Sequence, residues 1–134
     1  MQNERLKFIN PEALPASSGY TSVVEVRNAR TIYISGQIAM NKDGQVVGAG
    51  DLAVQTKQVF ENIKGALAAA EASFEDVVKL TFFVTDISKM QVVRDIRDQY
   101  INTINPPASS AVEVRKLIRD DLLIEIEAIA AGSL

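Results

Sequence analysis

The spacing of apolar and polar residues predicts an order of strands and helices along the chain. Alternating β-branched residues predict strands at Val23–Val26 and at residues 31–34, joined as a hairpin around Asn28-Ala29-Arg30. The pair Asp43-Gly44 marks another tight turn, because aspartate and glycine suit the positive-φ positions of such turns. The first third of the chain is therefore predicted to consist of strands and turns.

Two helices are predicted further along the chain. Asp51 can cap the first, in which apolar residues recur with a period of about 3.6 at Leu52, Val59, Ile63, Leu67 and Ala70. The second is predicted to begin at a capping box formed by Ser88 and Gln91 and to end before Pro106-Pro107. Its apolar face is predicted to carry Val93, Ile96, Tyr100 and Ile104.

One strand between the helices and two strands after them complete the predicted order. Residues 77–84 predict the strand between the helices, and residues 110–114 and 122–130 predict the closing pair. Strand-helix-strand units in this order place both helices on one face of a single mixed sheet. We therefore predict one α+β domain over residues 1–134, because no linker, repeat or low-complexity tract divides the chain.

The last predicted strand has two different faces. One parity is apolar and consists of Leu122, Ile124, Ile126 and Ala128, whereas the other is mixed and consists of Leu123, Glu125, Glu127 and Ile129. A mixed face of this kind is typical of a wet subunit interface and equally of an outer face in contact with solvent. The pattern alone leaves both interpretations open.

Composition excludes several kinds of chemistry. The chain has no cysteine and no histidine. It therefore has no disulfide, no thiolate nucleophile, no serine–histidine pair and no imidazole metal ligand. Any catalysis must use carboxylates, lysine, arginine, tyrosine, hydroxyls or backbone amides.

Charge and hydropathy limit the expected partners and location. The net charge is −3, from 14 basic and 17 acidic residues, and the basic residues are scattered, so we expect no nucleic-acid partner. The longest uncharged apolar run, residues 66–70, is far shorter than the roughly 20 residues that span a bilayer, so we expect no membrane partner. The first residues lack the apolar core of a signal peptide, and the expected location is the cytoplasm.

Three local patterns are candidates for chemistry. Glu125 and Glu127 lie two residues apart on one strand face, about 7 Å apart at the α-carbons, and fit a carboxylate mechanism or simply interface and solvent positions. Residues 48–51, Gly-Ala-Gly-Asp, are interpreted as a turn followed by a helix cap rather than a phosphate site. Arg94 and Asp98, at i and i+4, are expected to form a surface ion pair.

Six runs in order over about a hundred residues resemble the RidA family, also called YjgF or L-PSP. They are residues 33–38 (Tyr-Ile-Ser-Gly-Gln-Ile), 55–64, 76–86, 107–110 (Pro-Ala-Ser-Ser), 112–114 (Val-Glu-Val) and 124–130 (Ile-Glu-Ile-Glu-Ala-Ile-Ala). This resemblance implies a chorismate-mutase-like α+β fold and a homotrimer with small-molecule clefts between subunits. It also implies hydrolysis of enamines or imines to a keto acid and ammonia, without a metal or other cofactor.

The resemblance also implies roles for particular residues. Glu125 matches the family's glutamate that positions water and transfers protons, and it is the expected catalytic residue. The expected substrate-binding residues are Tyr20, Ser35, Gly36, Arg94, Ser109 and Ala111.

Ser109 departs from the family pattern, which has an arginine at this position to hold the substrate's carboxylate. A hydroxyl supplies neither the charge nor the bidentate geometry of a guanidinium, and the loss could cost about 2–5 kcal/mol. Arg94 matches a family asparagine and is the candidate for compensation across the cleft. The predicted function is therefore deamination of a non-standard enamine or imine. The alternatives are a trimer that binds a metabolite without turnover and, third, an endoribonuclease.

Overall fold

The computed structural model describes residues 5–134, in which six strands and two α-helices form two sheets and a helical layer. The elements are β1 (Leu6–Ile9), β2 (Val23–Val26), β3 (Arg30–Ile38), α1 (Leu52–Ala69), β4 (Val77–Val84), α2 (Met90–Arg97), β5 (Ala108–Glu113) and β6 (Ile124–Gly132). β1 pairs with β2, and the main sheet has the order β3-β6-β4-β5. The β4–β5 pair is parallel and the other pairs in the main sheet are antiparallel, so the sheet is mixed.

The main sheet packs both helices against one of its faces, here called the helix face. Buried residues on this face include Leu80, Phe82 and Val84 from β4 and Ile124, Ile126 and Ala128 from β6. They contact the buried stripe of α1, which contains Val59, Phe60, Ile63 and Leu67, and Val93 of α2. The predicted α+β arrangement is confirmed. The opposite face of the sheet, here called the open face, carries Tyr33, Lys79, Thr81, Glu127 and Ile129.

Helix α1 begins and ends as its sequence dictates. The Asp51 carboxylate accepts a hydrogen bond from Val54 N at 3.1 Å, which satisfies one free amide of the first turn. At the other end Glu71 adopts a positive φ of 55°, and Ala72 N donates to Leu67 O at 2.9 Å. The interpretation of residues 48–51 as a turn plus cap is confirmed. Neither α-helix in residues 5–134 is long and apolar enough to cross a membrane.

A buried glutamine connects α1 to the segment that leads into β6. Gln55 is 0% exposed, and its Nε2 donates to Asp121 O at 2.8 Å and to Gly48 O at 3.1 Å. Its Oε1 accepts from Leu123 N at 2.8 Å. All the polar atoms of this side chain are therefore engaged, and they fix where β6 enters the sheet.

The predicted hairpin between Val23–Val26 and residues 31–34 is wrong. β2 pairs with β1, which the sequence analysis did not place, and β3 pairs with β6 from the other end of the chain. β3 and β6 are each nine residues long, and their pairing puts apolar residues of both against the helices. Burial on the helix face therefore decides the partner of β3, and adjacency along the chain does not.

The predicted start of α2 is also wrong. α2 begins at Met90, and its N-cap, Lys89, makes no side-chain capping hydrogen bond. Asp86 instead caps the 3₁₀ turn Ile87–Lys89: its Oδ1 accepts from Ser88 N at 3.0 Å and from Ser88 Oγ at 2.6 Å. These hydrogen bonds lower the pKa of Asp86, and they occupy the hydroxyl that the predicted capping box needed. One 3₁₀ turn then precedes α2. Because α2 ends at Arg97, Ile104 lies outside it and is 87% exposed.

Candidate functional site

Glu125 lies on the open face, in the interior of the main sheet. Its neighbours Ile124 and Ile126 are fully buried on the helix face, so strand alternation directs Glu125 to the other side. In the register of the sheet it lies beside Ile38 of β3 and Phe83 of β4. The sequence prediction that one parity of this strand is apolar and the other mixed is confirmed.

A bulge in β3 forms the surface on which the Glu125 carboxylate rests. The register between β3 and β6 shifts between Ile34 and Gln37, and the residues within the shift are Ser35 and Gly36. A β-carbon at position 36 would lie 2.8 Å from Cδ of Glu125 and would overlap one of its carboxylate oxygens. The carboxylate therefore lies against the backbone of Gly36. The structure places Gly36 against Glu125, with Ser35 beside Gly36 in the same bulge.

Beside these residues the open face contains a shallow depression of about 320 Å³. It is lined by residues from three adjacent strands, among them Tyr33, Ser35, Lys79, Thr81 and Glu127. Lys79 Nζ donates to Ser110 Oγ at 3.0 Å, which holds one cation at this surface. The open face therefore carries a basic group, Lys79, beside Ile129, and an acidic group, Glu127, two residues after Glu125 on the same strand.

The residue after Tyr20 is bonded to the segment that leads into β5, the edge strand that carries Ser109. Thr21 is 1% exposed, its N donates to Pro107 O at 3.2 Å, and its Oγ1 donates to Pro106 O at 2.5 Å. These two bonds hold the residue after Tyr20 against the residues that lead into β5. The segment that contains Tyr20 is thus tied to the residues that precede the strand carrying Ser109.

Ser109 and Ala111 point to the opposite side of the sheet from Glu125. In the parallel β4–β5 pair, Ser109 lies beside Leu80 and Ala111 beside Phe82, which both face the helices. Glu125 lies on the open face, and β4 separates β6 from β5. A single chain therefore does not bring Glu125 together with Ser109 and Ala111.

The arginines of α2 occupy different environments from those predicted. Arg94 is exposed, and among the ion pairs of residues 5–134 Asp98 pairs with Arg97, not with Arg94, at 2.9 Å from Nε to Oδ1. Arg97 is 8% exposed, and a β-carbon at Gly19 would lie 2.8 Å from its Nη2. Arg97 was not predicted from the sequence. Its position one turn after buried Val93 was the available signal, since it placed an arginine on the apolar stripe.

Comparison with known proteins gives consistent matches over nearly the whole chain. The model of the family described as Endoribonuclease L-PSP matches residues 10–132. The human 2-iminobutanoate/2-iminopropanoate deaminase is 41% identical over 125 residues, which cover 92% of this chain and 88% of the relative.

Solved structures agree with the sequence matches. A protein of the conserved Rid family from Yersinia pestis, of unknown function, superposes with a TM-score of 0.83 at 36% identity, covering 95% of this chain and 98% of the other. RidA from an Antarctic Psychrobacter superposes with a TM-score of 0.69 at 34% identity, covering 93% and 98%. The fold is therefore the α+β fold of these proteins, and the chain belongs to the RidA/YjgF family.

Proposed function

We propose that this protein hydrolyses small imines or enamines in a cleft between the subunits of a homotrimer, with Glu125 as the catalytic residue. The observation that carries the proposal is the Glu125 carboxylate held against the Gly36 backbone on the open face of the sheet. Support comes from the human relative, named as a deaminase of 2-iminobutanoate and 2-iminopropanoate.

The chemistry requires a group that can both accept and return a proton. Water adds to the carbon of the C=N bond while a carboxylate accepts one of its protons, and the nitrogen is protonated. The C–N bond then breaks, ammonia leaves, and the carbon keeps the oxygen as a carbonyl. Glu125 is suited to this work because a positioned carboxylate can transfer protons in both steps. The atoms and electrons of this hydrolysis balance without an oxidant or a metal.

The trimer completes the proposed site. Glu125 and the pair Ser109 and Ala111 lie on opposite faces of one sheet, so a cleft containing all of them needs residues from two copies. The open face also exposes large apolar side chains, with Tyr33 79% and Val112 44% exposed. Burying this face in a closed cyclic assembly removes both of these side chains from water.

Ser109 favours a second candidate function, a trimer that binds a metabolite without turnover. A serine in the run Pro107-Ala108-Ser109-Ser110 leaves this position without the charge that would orient a carboxylate. Ribonuclease activity, to which the family description refers, is not proposed, because the chain has a net charge of −3 and no histidine.

Ammonia release from freshly generated imines tests the proposal. An amino-acid oxidase supplies the imine in situ, and the wild type is compared with Glu125→Gln and with Glu12→Gln, which alters an exposed glutamate outside the sheet. We expect Glu125→Gln to lower the rate about 100-fold or more and Glu12→Gln to leave it unchanged. A wild type that accelerates nothing but binds the product keto acid would establish the second candidate instead.

A further inference from the structure

Arg97 is a nearly buried cation whose hydrogen-bonding capacity is only partly used. Its side chain is 9% exposed, and the donor that the structure engages is Nε, which bonds to Oδ1 of Asp98 at 2.9 Å. Within residues 5–134 neither terminal nitrogen, Nη1 or Nη2, has a hydrogen-bond acceptor. Neither of them is sealed from solvent. Polar groups at this level of burial are ordinarily satisfied by a protein group, a water or a ligand.

The geometry of the Asp98 contact leaves the end of the guanidinium available. Asp98 is itself 47% exposed and reaches the Nε side of the group. The Nη1–Nη2 edge has no acceptor within residues 5–134. Two parallel N–H donors on one edge match the two oxygens of a carboxylate. A planar carboxylate therefore has the geometry to bind this edge.

The free edge of Arg97 lies at the segment that contains Tyr20. The guanidinium lies against Gly19, where the missing side chain leaves room for it: a β-carbon there would be 2.8 Å from Nη2. Gly19 has a φ of +78°, so glycine is favoured here by its backbone conformation as well. Two residues on, Thr21 is bonded to Pro107 O, and Pro107 directly precedes β5. Arg97 therefore borders the wall formed by Tyr20 and the start of β5.

Ser109 lies on the same side of the sheet as Arg97. Ser109 is beside Leu80 in the parallel register and so faces the layer that contains α2. It lies on β5, the strand at the edge of the sheet, next to the segment of Thr21. Position 109, which lacks a cation, thus faces the layer in which α2 carries Arg97.

We propose that Arg97 is the anion anchor of the cleft, binding the carboxylate of an α-keto or α-imino acid through its Nη1–Nη2 edge. This inference rests on the proposed function for the location of the cleft. With this anchor the substrate can carry a carboxylate, because Arg97 of α2 supplies the positive charge that Ser109 lacks. It also replaces Arg94, which is exposed, as the residue expected to compensate.

Binding of pyruvate, compared with its uncharged methyl ester, tests the anchor without relying on turnover. Calorimetric titrations use the wild type, Arg97→Lys, Arg97→Gln and the control Arg119→Gln, which removes an exposed arginine paired with a nearby aspartate. We expect Arg97→Gln to weaken pyruvate binding at least tenfold, Arg97→Lys to weaken it less, and Arg119→Gln to leave it within twofold. The ester should bind all four proteins weakly and alike.

A gain-of-charge variant adds a second arm. Ser109→Arg in the Arg97→Gln background should recover pyruvate binding, because the new guanidinium enters the same corner. Pyruvate binding by Arg97→Gln within twofold of the wild type would overturn the proposal, and so would an equal loss of ester binding.

Wild-type protein supplies a measurement that does not depend on a variant folding. Phenylglyoxal modifies accessible guanidinium groups, and mass spectrometry reports the extent at each arginine. We expect pyruvate to slow the modification of Arg97 and not of Arg119; equal rates with and without pyruvate at both residues would count against the anchor.

If Arg97 binds pyruvate but no ammonia is released from imines, the proposed function fails and the anchor stands. If ammonia is released while Arg97→Gln binds pyruvate normally, the anchor fails and the function stands.

Discussion

The carboxylate of Glu125 occupies the space in which a side chain at Gly36 would begin. Gly36 and Glu125 lie on adjacent strands, and the bulge in β3 brings the backbone of Gly36 beneath the carboxylate of Glu125. A carboxylate fixed in this way keeps one position relative to the open face. Pre-positioning of this kind is what a group that must orient water requires.

Gly36→Ala should therefore displace the carboxylate while leaving the fold intact. We expect ammonia release to fall at least tenfold, which corresponds to about 1.4 kcal/mol of transition-state stabilisation. Gly65→Ala is the matched control, because a β-carbon at Gly65 would have no neighbour within 4 Å. In the helix interior that change should stabilise the protein by about 0.5–1 kcal/mol without affecting the rate. An unchanged rate in Gly36→Ala would show that the contact with Glu125 has no catalytic role.

The chain should form a trimer in solution. Light scattering of the 14.6 kDa chain should give about three times that mass at micromolar concentration. Tyr33→Asp, on the open face, should shift the protein towards monomers, because it places a charge in an interface that we propose to be apolar. Val92→Asp, at an exposed position of α2, is the control and should remain trimeric. A wild type that stays monomeric would remove the shared cleft.

Gln55→Ala should be among the more destabilising changes away from the site. It leaves the acceptors Gly48 O and Asp121 O and the donor Leu123 N without the Gln55 side chain as partner, and opens a cavity where Gln55 is now fully enclosed. We expect the free energy of unfolding, compared at equal protein concentration, to fall by about 2–4 kcal/mol. Gln99→Ala removes a single exposed hydrogen bond, to Asp95 O, and should cost less than about 0.5 kcal/mol. Equal effects of the two changes would mean that the Gln55 bonds contribute little.

One of the three tyrosines should ionise at unusually high pH. Burial, then the hydrogen bond to the Glu61 carboxylate at 2.7 Å, raise the pKa of Tyr100 to about 12. Because the protonated phenol is favoured in the folded state, its contribution to stability is complete below the unfolded pKa of about 10 and is lost as pH rises through about 12. Absorbance titration should show a late phenolate step that disappears in Tyr100→Phe and persists in Tyr33→Phe. Ionisation of Tyr100 near 10 would contradict this prediction.

The sequence predicted the parts of the fold that local chemistry determines. Asp51 and the apolar stripe after it specify where α1 begins and which side it buries, and both features act within one helix. The partner of β3 depends instead on burial against helices that are distant in sequence. The assumption of a local hairpin therefore failed, and β1, whose four residues carry a weak pattern, was not predicted.

The candidate site was predictable to a similar extent. Strand alternation placed Glu125 on the mixed face, but no pattern in the sequence reveals that a register shift brings it onto Gly36. Arg97 was missed because the apolar face of α2 was drawn through Ile96 and Tyr100. The position of Arg97 one turn after buried Val93 indicates the buried side of α2, but its contact with Gly19 comes from a segment distant in the sequence.

The position of β6 has a consequence for synthesis on the ribosome. Among the strands it comes last in the chain, yet it lies between β3 and β4 and is hydrogen-bonded to both. Until residues 124–132 leave the exit tunnel, β3 lacks its partner in the main sheet and β4 has one edge unpaired. A nascent chain in this condition presents strand edges on which neighbouring chains can assemble, and chaperones protect such edges. The strand that contains Glu125 thus also determines when during translation the inner edges of β3 and β4 are covered.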